Sequence, residues 1–254
     1  MSLNRFRIAA ETLGIIVILV GLKLGIEKLG LEFITLNPLF TSMIAGGIFL
    51  FGLILAGTLA DYKESEKIPT EIVAACASIF HEGRFTKETK PEFDLAALAA
   101  VLGRIMEGFR VDAVKSCCSR TALAALEGLS GPFLEMERLG VPPNYIVRLK
   151  TEEGAIRKAL LRMYYIQKTN FLPSAYVLVQ SIVVLVMGLL LFTKIEPFYD
   201  SVIVLGFLTY LFVYILKLLK TLDTPFQESG RSMDDVSLFQ LKEFQARMDE
   251  IEER

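Results

Sequence analysis

The chain has 254 residues, 53% of them hydrophobic and 22% charged, and a mean hydropathy of +0.48. That is too apolar for an ordinary soluble domain, so the apolar residues must be gathered in blocks. A formal net charge of −2 excludes general nucleic-acid binding, and a lone histidine, His81, leaves no pair for metal or triad chemistry.

Residues 8–26 form the first apolar block. Glu11 lies early in it, and Gly25-Ile26-Glu27 is a poor cleavage site, so it reads as a membrane helix and not a signal peptide. Lys23 is expected to snorkel at its end. Residues 28–38 make a short connection, with Asn37-Pro38 turning the chain into the second span. Residues 39–60 hold no charge and suffice to cross a bilayer core. Ser42 and Gly46 are four apart there, as are Gly52 and Ala56, a spacing that lets another helix come close.

After Ala60 the chain turns soluble in style. Pro69 is placed to start a new helix at Thr70. Residues 71–81 read as that helix, 83–91 as a loop, and 92–126 as one amphipathic helix with a seam at Leu95, Leu98, Leu102, Ile105 and Phe109. That seam is expected to be more than one chain can bury. Ile146, Leu149, Ile156, Leu160 and Met163 mark a further stripe. Arg157, Lys158 and Arg162 lie among them, either on a solvated face or around an ion vestibule. Residues 171–193 and 202–219 are the third and fourth spans. Gln180 is a candidate for an interhelical hydrogen bond. In the tail, Pro225 stops the fourth helix, and Val236, Phe239, Phe244 and Met248 suggest a last amphipathic helix with Asp234 as N-cap.

The reading is an all-α polytopic membrane protein: four transmembrane helices with a helical cytoplasmic module between the second and third. Its segments are 1–60, a membrane hairpin; 61–170, the module; 171–220, a second hairpin; and 221–254, a tail. Lys and Arg near the span ends (Arg5, Arg7, Lys63, Lys67, Arg162, Lys168, Lys217, Lys220) fall on one side. The positive-inside rule therefore puts both termini in the cytoplasm, with the protein in the plasma (inner) membrane. Cys76, Cys117 and Cys118 then read as reduced thiols and not a disulfide frame. No phosphate-cradling, dinucleotide, zinc-protease or nucleophile-elbow motif is present, so neither an enzyme nor a cofactor is expected.

Two short motifs and the layout carry a resemblance. Glu66-Lys67-Ile68-Pro69 follows the second span, and Asp223-Thr224-Pro225-Phe226 follows the fourth, with Asp234 and Asp235 further on. Inner terminus, two spans, long helical segment, two spans and inner tail complete the pattern. The chain resembles the bestrophin-like membrane channels, in their bacterial form. It departs from them in Thr224, where an Asn is usual, in lacking a dense acidic run, and in Asp61-Tyr62-Lys63, where an aromatic-rich stretch is usual. The resemblance implies a pentameric homo-oligomer in the lipid bilayer that passes inorganic ions. Its axial pore would be lined by the second span, with a neck near Ile44, Ile48 and Gly52. It also implies structural turns at Pro69, Pro225 and Phe226, and a possible ion or calcium contact at Asp234 and Asp235; no other metal site is indicated. Periodicity puts Ile44, Ile48, Phe51 and Leu55 on one stripe, which either lines that pore or faces lipid and neighbouring helices. Two alternatives share the layout: a stator-type proton-channel subunit and a non-conducting membrane scaffold.

Overall fold

The computed structural model describes residues 7–114, 120–168, 173–223, 225–226 and 236–252. The described helices are α1 (Arg7–Lys28), α2 (Pro38–Thr89), α3 (Leu95–Val114), α4 (Thr121–Leu126), α5 (Ser130–Arg138), α6 (Pro143–Lys168), α7 (Pro173–Leu191), α8 (Phe198–Leu222) and α9 (Phe239–Glu252). Two-residue strands β1 (Ile34–Thr35) and β2 (Thr193–Lys194) pair in parallel, Ile34 with Thr193 and Thr35 with Lys194. The contacts divide the chain into two compact units, one of residues 1–62, 170–225 and 230–234, the other of 63–169, 226–229 and 235–254. Four helices, α1, α2, α7 and α8, are long and apolar enough to cross a membrane. The protein is thus an all-α polytopic membrane protein.

In the first unit, local chemistry sets the helix ends. Gly30 takes φ +68° after α1. Its N–H donates to the Glu27 carbonyl at 2.9 Å, and the Leu31 N–H to the Ile26 carbonyl at 3.1 Å, the paired bonds of a Schellman cap. Asn37 caps α2, its Oδ1 accepting from the Phe40 N–H at 2.9 Å, with Pro38 at the first helical position. The core gathers Phe40 and Phe51 of α2, Val179, Val183 and Met187 of α7, and Leu205, Leu208 and Phe212 of α8. The Thr209 hydroxyl donates to Met187 Sδ at 3.1 Å, so it is used between α7 and α8. Lys217 of α8 meets Glu11 of α1 at 2.7 Å. Gln180, expected to bond across helices, is exposed.

The second unit departs from expectation at Pro69, which starts no helix and makes no turn. It lies inside α2, which runs for 52 residues. Proline removes the bond to the Ser65 carbonyl and costs about 3 kcal/mol or more in a helix interior. The inward stripe keeps its register through that point. Ile68, Ile72, Cys76 and Ile79 are all buried. Each large apolar side chain so buried contributes about 1.5–3 kcal/mol, which together outweighs the missing bond. Residues 83–89 are likewise helical and not a loop. Gly83 is a packing position there, since a Cβ on it would collide with Leu98 Cδ2. Lys87 reaches past the helix end to the carbonyls of Pro91 at 2.8 Å and Phe93 at 2.9 Å.

The expected single helix over 92–126 is two. Asp94 caps α3 through the Ala97 N–H at 2.9 Å. The seam residues Leu98, Leu102, Ile105 and Phe109 are fully buried within the unit, so they offer no surface for another chain. Buried Asp112 accepts the N–H groups of Thr121 at 3.1 Å and Ala122 at 2.9 Å, which caps α4 from a different helix. Tyr164 donates to the same carboxylate at 2.5 Å. Burial, and then the bond to Asp112, push the Tyr164 hydroxyl well above its usual pKa. In α6, Leu149, Ile156, Leu160 and Met163 are buried as the stripe predicts. In the tail Val236, Phe244 and Met248 are buried, while Phe239 is exposed and α9 starts only there.

The α3–α4 crossing requires glycine. A Cβ on Gly108 would lie 2.6 Å from the Ala122 nitrogen and 2.8 Å from its Cα. Gly108→Ala is therefore expected to destabilise the protein by about 1–3 kcal/mol, read as a lower Tm in detergent. Gly131→Ala, with nothing within 4 Å of the added carbon, should leave Tm unchanged or slightly raised.

Candidate functional site

The uncharged stretch of α2 has two faces, set by its 3.6-residue period. Phe40, Gly47, Phe51 and Thr58 face inward. Phe51 is 1% exposed, and its ring lies 5.0 Å from that of Phe212 at 40°. Ile44 and Leu55 are half-buried against the same core. Ile48 stands about 60° round the helix from Phe51 and is 42% exposed. Gly52 is also exposed, with nothing within 4 Å of where its Cβ would be. The structure therefore splits the expected stripe. Phe51 belongs to the core of its own chain and does not share a surface with Ile48 and Gly52. The reason is geometric: an i, i+4, i+7 series drifts across a helix face, and only part of it falls where α7 and α8 pack.

The exposed face carries Ser42, Ala45, Gly46, Phe49, Leu53 and Ala56 beside Ile48 and Gly52. Its hydroxyls are already satisfied within α2: Ser42 donates to the Pro38 carbonyl at 2.8 Å and Thr41 to the Asn37 carbonyl at 3.2 Å. The face is thus apolar and small-residue-rich. Gly47, on the inward side, marks a tight approach, with Ile182 Cγ2 3.3 Å from its would-be Cβ. The spaced pairs Ser42/Gly46 and Gly52/Ala56 stay open.

Most of the charges suggested as a vestibule ring are paired. Arg162 forks onto Glu64 at 2.9 and 2.6 Å and lies 5.3 Å over the Tyr165 ring. Arg157 bonds Glu127 at 2.8 Å and Glu153 at 3.0 Å, and these bonds hold its pKa above the usual value. Lys63 bonds Glu66 at 2.7 Å. Lys158 is exposed. Pro225 and Phe226 are buried and non-helical beyond α8. Asp234, Asp235, Thr224, Cys117 and Cys118 lie outside the described residues. Among the described residues no three His, Cys, Asp or Glu side chains gather as a metal group.

One group that sequence reasoning misplaced is Lys23. It does not snorkel; it is fully buried. Its ammonium donates to the carbonyls of Thr193 at 2.5 Å, Leu191 at 3.1 Å and Leu190 at 3.4 Å. Glu32 Oε1 lies 2.6 Å from it, off the axis a hydrogen bond requires. The carbonyl end of α7 is thereby capped by a cation from α1, where the helix dipole favours positive charge. The sequence signal was the position of Lys23 five residues inside α1, with Leu24-Gly25-Ile26 still to follow.

No family model matches the chain, and no curated protein matches it by sequence. Solved structures match along nearly its whole length. A bacterial bestrophin homologue from Klebsiella pneumoniae, solved by zinc anomalous phasing, is 14% identical with a TM-score of 0.78, covering 97% of each chain. A second structure of that homologue, a point variant, covers 98% of each chain at 14% identity and TM-score 0.78. A point variant described simply as a membrane protein covers 98% of each at 13% identity and TM-score 0.81. The class is an all-helical four-span membrane fold. Within it, the fold is similar to that of the bacterial bestrophin homologues.

Lys23→Met would leave Glu32 and three carbonyls without their cation. It is expected to destabilise the protein by about 3–5 kcal/mol, read by thermal unfolding in detergent. Lys28→Met, at an exposed position, should shift Tm little.

Proposed function

We propose that this protein is a bestrophin-like homo-oligomeric channel that passes inorganic ions passively through an axial pore lined by α2. The observation that carries the reading is the uncharged, exposed face of α2, set in a chain that matches bestrophin homologues from end to end. A ring of such faces around an axis, with Ile48 and Gly52 at the neck, would resist hydration and gate by dewetting. The pentameric state comes from the family resemblance. Both termini and the 61–170 module are assigned to the cytoplasm of the plasma (inner) membrane by the distribution of basic residues. The 1–60, 61–170, 171–220 and 221–254 segments are the proposed functional divisions.

Planar-bilayer recording of the purified protein under a NaCl gradient tests the reading, and the reversal potential gives the sign of the ion. Ile48→Ala is expected to raise conductance or weaken gating while the oligomer mass in detergent stays unchanged. Phe51→Ala should instead lower stability by about 3–5 kcal/mol, as loss of a buried aromatic ring does. Absence of current from both the parent and Ile48→Ala would leave a membrane scaffold as the reading. A stable monomer by mass would reject the oligomer.

A further inference from the structure

We propose that the connection between α1 and α2, residues 29–37, is an interfacial anchor that seats in the lipid headgroup region. A connection this short is ordinarily polar. Here Leu29, Leu31, Phe33 and Leu36 are all exposed, Leu29 and Phe33 at 73%, and Tyr199 at the start of α8 is exposed as well.

The outward aim of these side chains is built in. The Schellman bonds at Gly30 fix the direction in which the chain leaves α1. Glu32 then turns inward to the buried Lys23. Its neighbours on either side, Leu31 and Phe33, are left exposed. The β1–β2 pairing holds the next residues, with the Ile34 N–H donating to the Phe192 carbonyl at 3.1 Å. The Phe33 ring rests 5.4 Å from that of Phe192 and stays mostly uncovered.

Lipid is the occupant that fits. Exposed Val17, Ile18 and Leu22 of α1 form a membrane-facing surface that runs up to Leu29, so the apolar surface is continuous with that of the span. Depth follows from the backbone. Non-helical peptide groups exposed to lipid cannot enter the hydrocarbon, so the connection rests at headgroup level. Lys28 and the exposed Lys194–Glu196 pair are suited to that layer, as is the amphipathic ring of Tyr199.

The chain contains no tryptophan, so one introduced residue reports alone. Phe33→Trp and Leu36→Trp, in the full-length protein reconstituted into phosphatidylcholine vesicles, provide two such reporters, the first at the ring that lies beside Phe192. Both should emit to the blue of free tryptophan amide. Lipid brominated near the headgroup end of the acyl chain should quench both, and lipid brominated near the chain terminus should quench them less. Blue emission unquenched by either lipid would overturn the proposal in favour of contact with a second protein chain. Red emission quenched by aqueous iodide would overturn it in favour of open solvent.

Discussion

A lysine with no access to water holds one end of the membrane unit together. Lys23 brings a full charge into a place where an unpaired ion would cost several kcal/mol, and it is tolerated because four oxygens surround it. Those oxygens come from α7, from the strand that follows it and from the α1–α2 connection. The same contact therefore fixes α1 against α7, closes the carbonyl end of α7 and sets which residues of the connection point inward. The β1–β2 register sits directly beside it. Burial removes water as an alternative partner for the ammonium, so the charge depends on these protein oxygens.

Helix α2 shows how one sequence serves two surfaces. Its inward positions recur at three and four residues and are filled by Phe40, Gly47, Phe51 and Thr58. Their partners on α7 and α8, among them Ile182 and Phe212, are large and apolar. The opposite positions are small or apolar and exposed, with open space beside Gly46 and Gly52. A lipid-facing helix does not require Gly46, Gly52 and Ala56, since glycine lowers helix propensity and gives lipid nothing to pack on. Their concentration on the uncommitted face is what an approach by another helix, or a narrow lumen, would use.

The four spans were legible in the sequence because hydropathy over about 20 residues reads a solvent requirement directly. The amphipathic stripes of α3 and α6 were legible for a similar reason, since period and burial are one signal. Breaks were read less well. Pro69 and Gly83 carry strong local signals for a helix end, yet both lie within α2, because tertiary burial on either side outweighs a cost of about 1–3 kcal/mol per position. The Asp112 cap on α4 joins residues about ten apart on two different helices, and no single-helix pattern predicts it. The stripe of Ile44, Ile48, Phe51 and Leu55 divides at the buried Phe51 for a related reason. Periodicity says which residues share a helix face but not which neighbour that face meets.

Agreement of fold at 13–14% identity has a physical reading. What two such chains must share is the placement of apolar length, cap and small residue, and many side chains satisfy each requirement. The demands on a conducting face are narrower, because the width and polarity of a lumen depend on the particular side chains that border it. On α2 the exposed Ile48 and Gly52 share a face whose hydroxyls are already bonded to nearby backbone carbonyls, and in the other unit Arg162 and Lys63 are matched by Glu64 and Glu66. On the proposed reading, an ion passing that face would meet apolar surface, and no charge within residues 39–60 would favour either sign. Any preference between anion and cation would then arise from side chains outside that stretch, where pairing such as that of Arg162 with Glu64 leaves less net charge to set it.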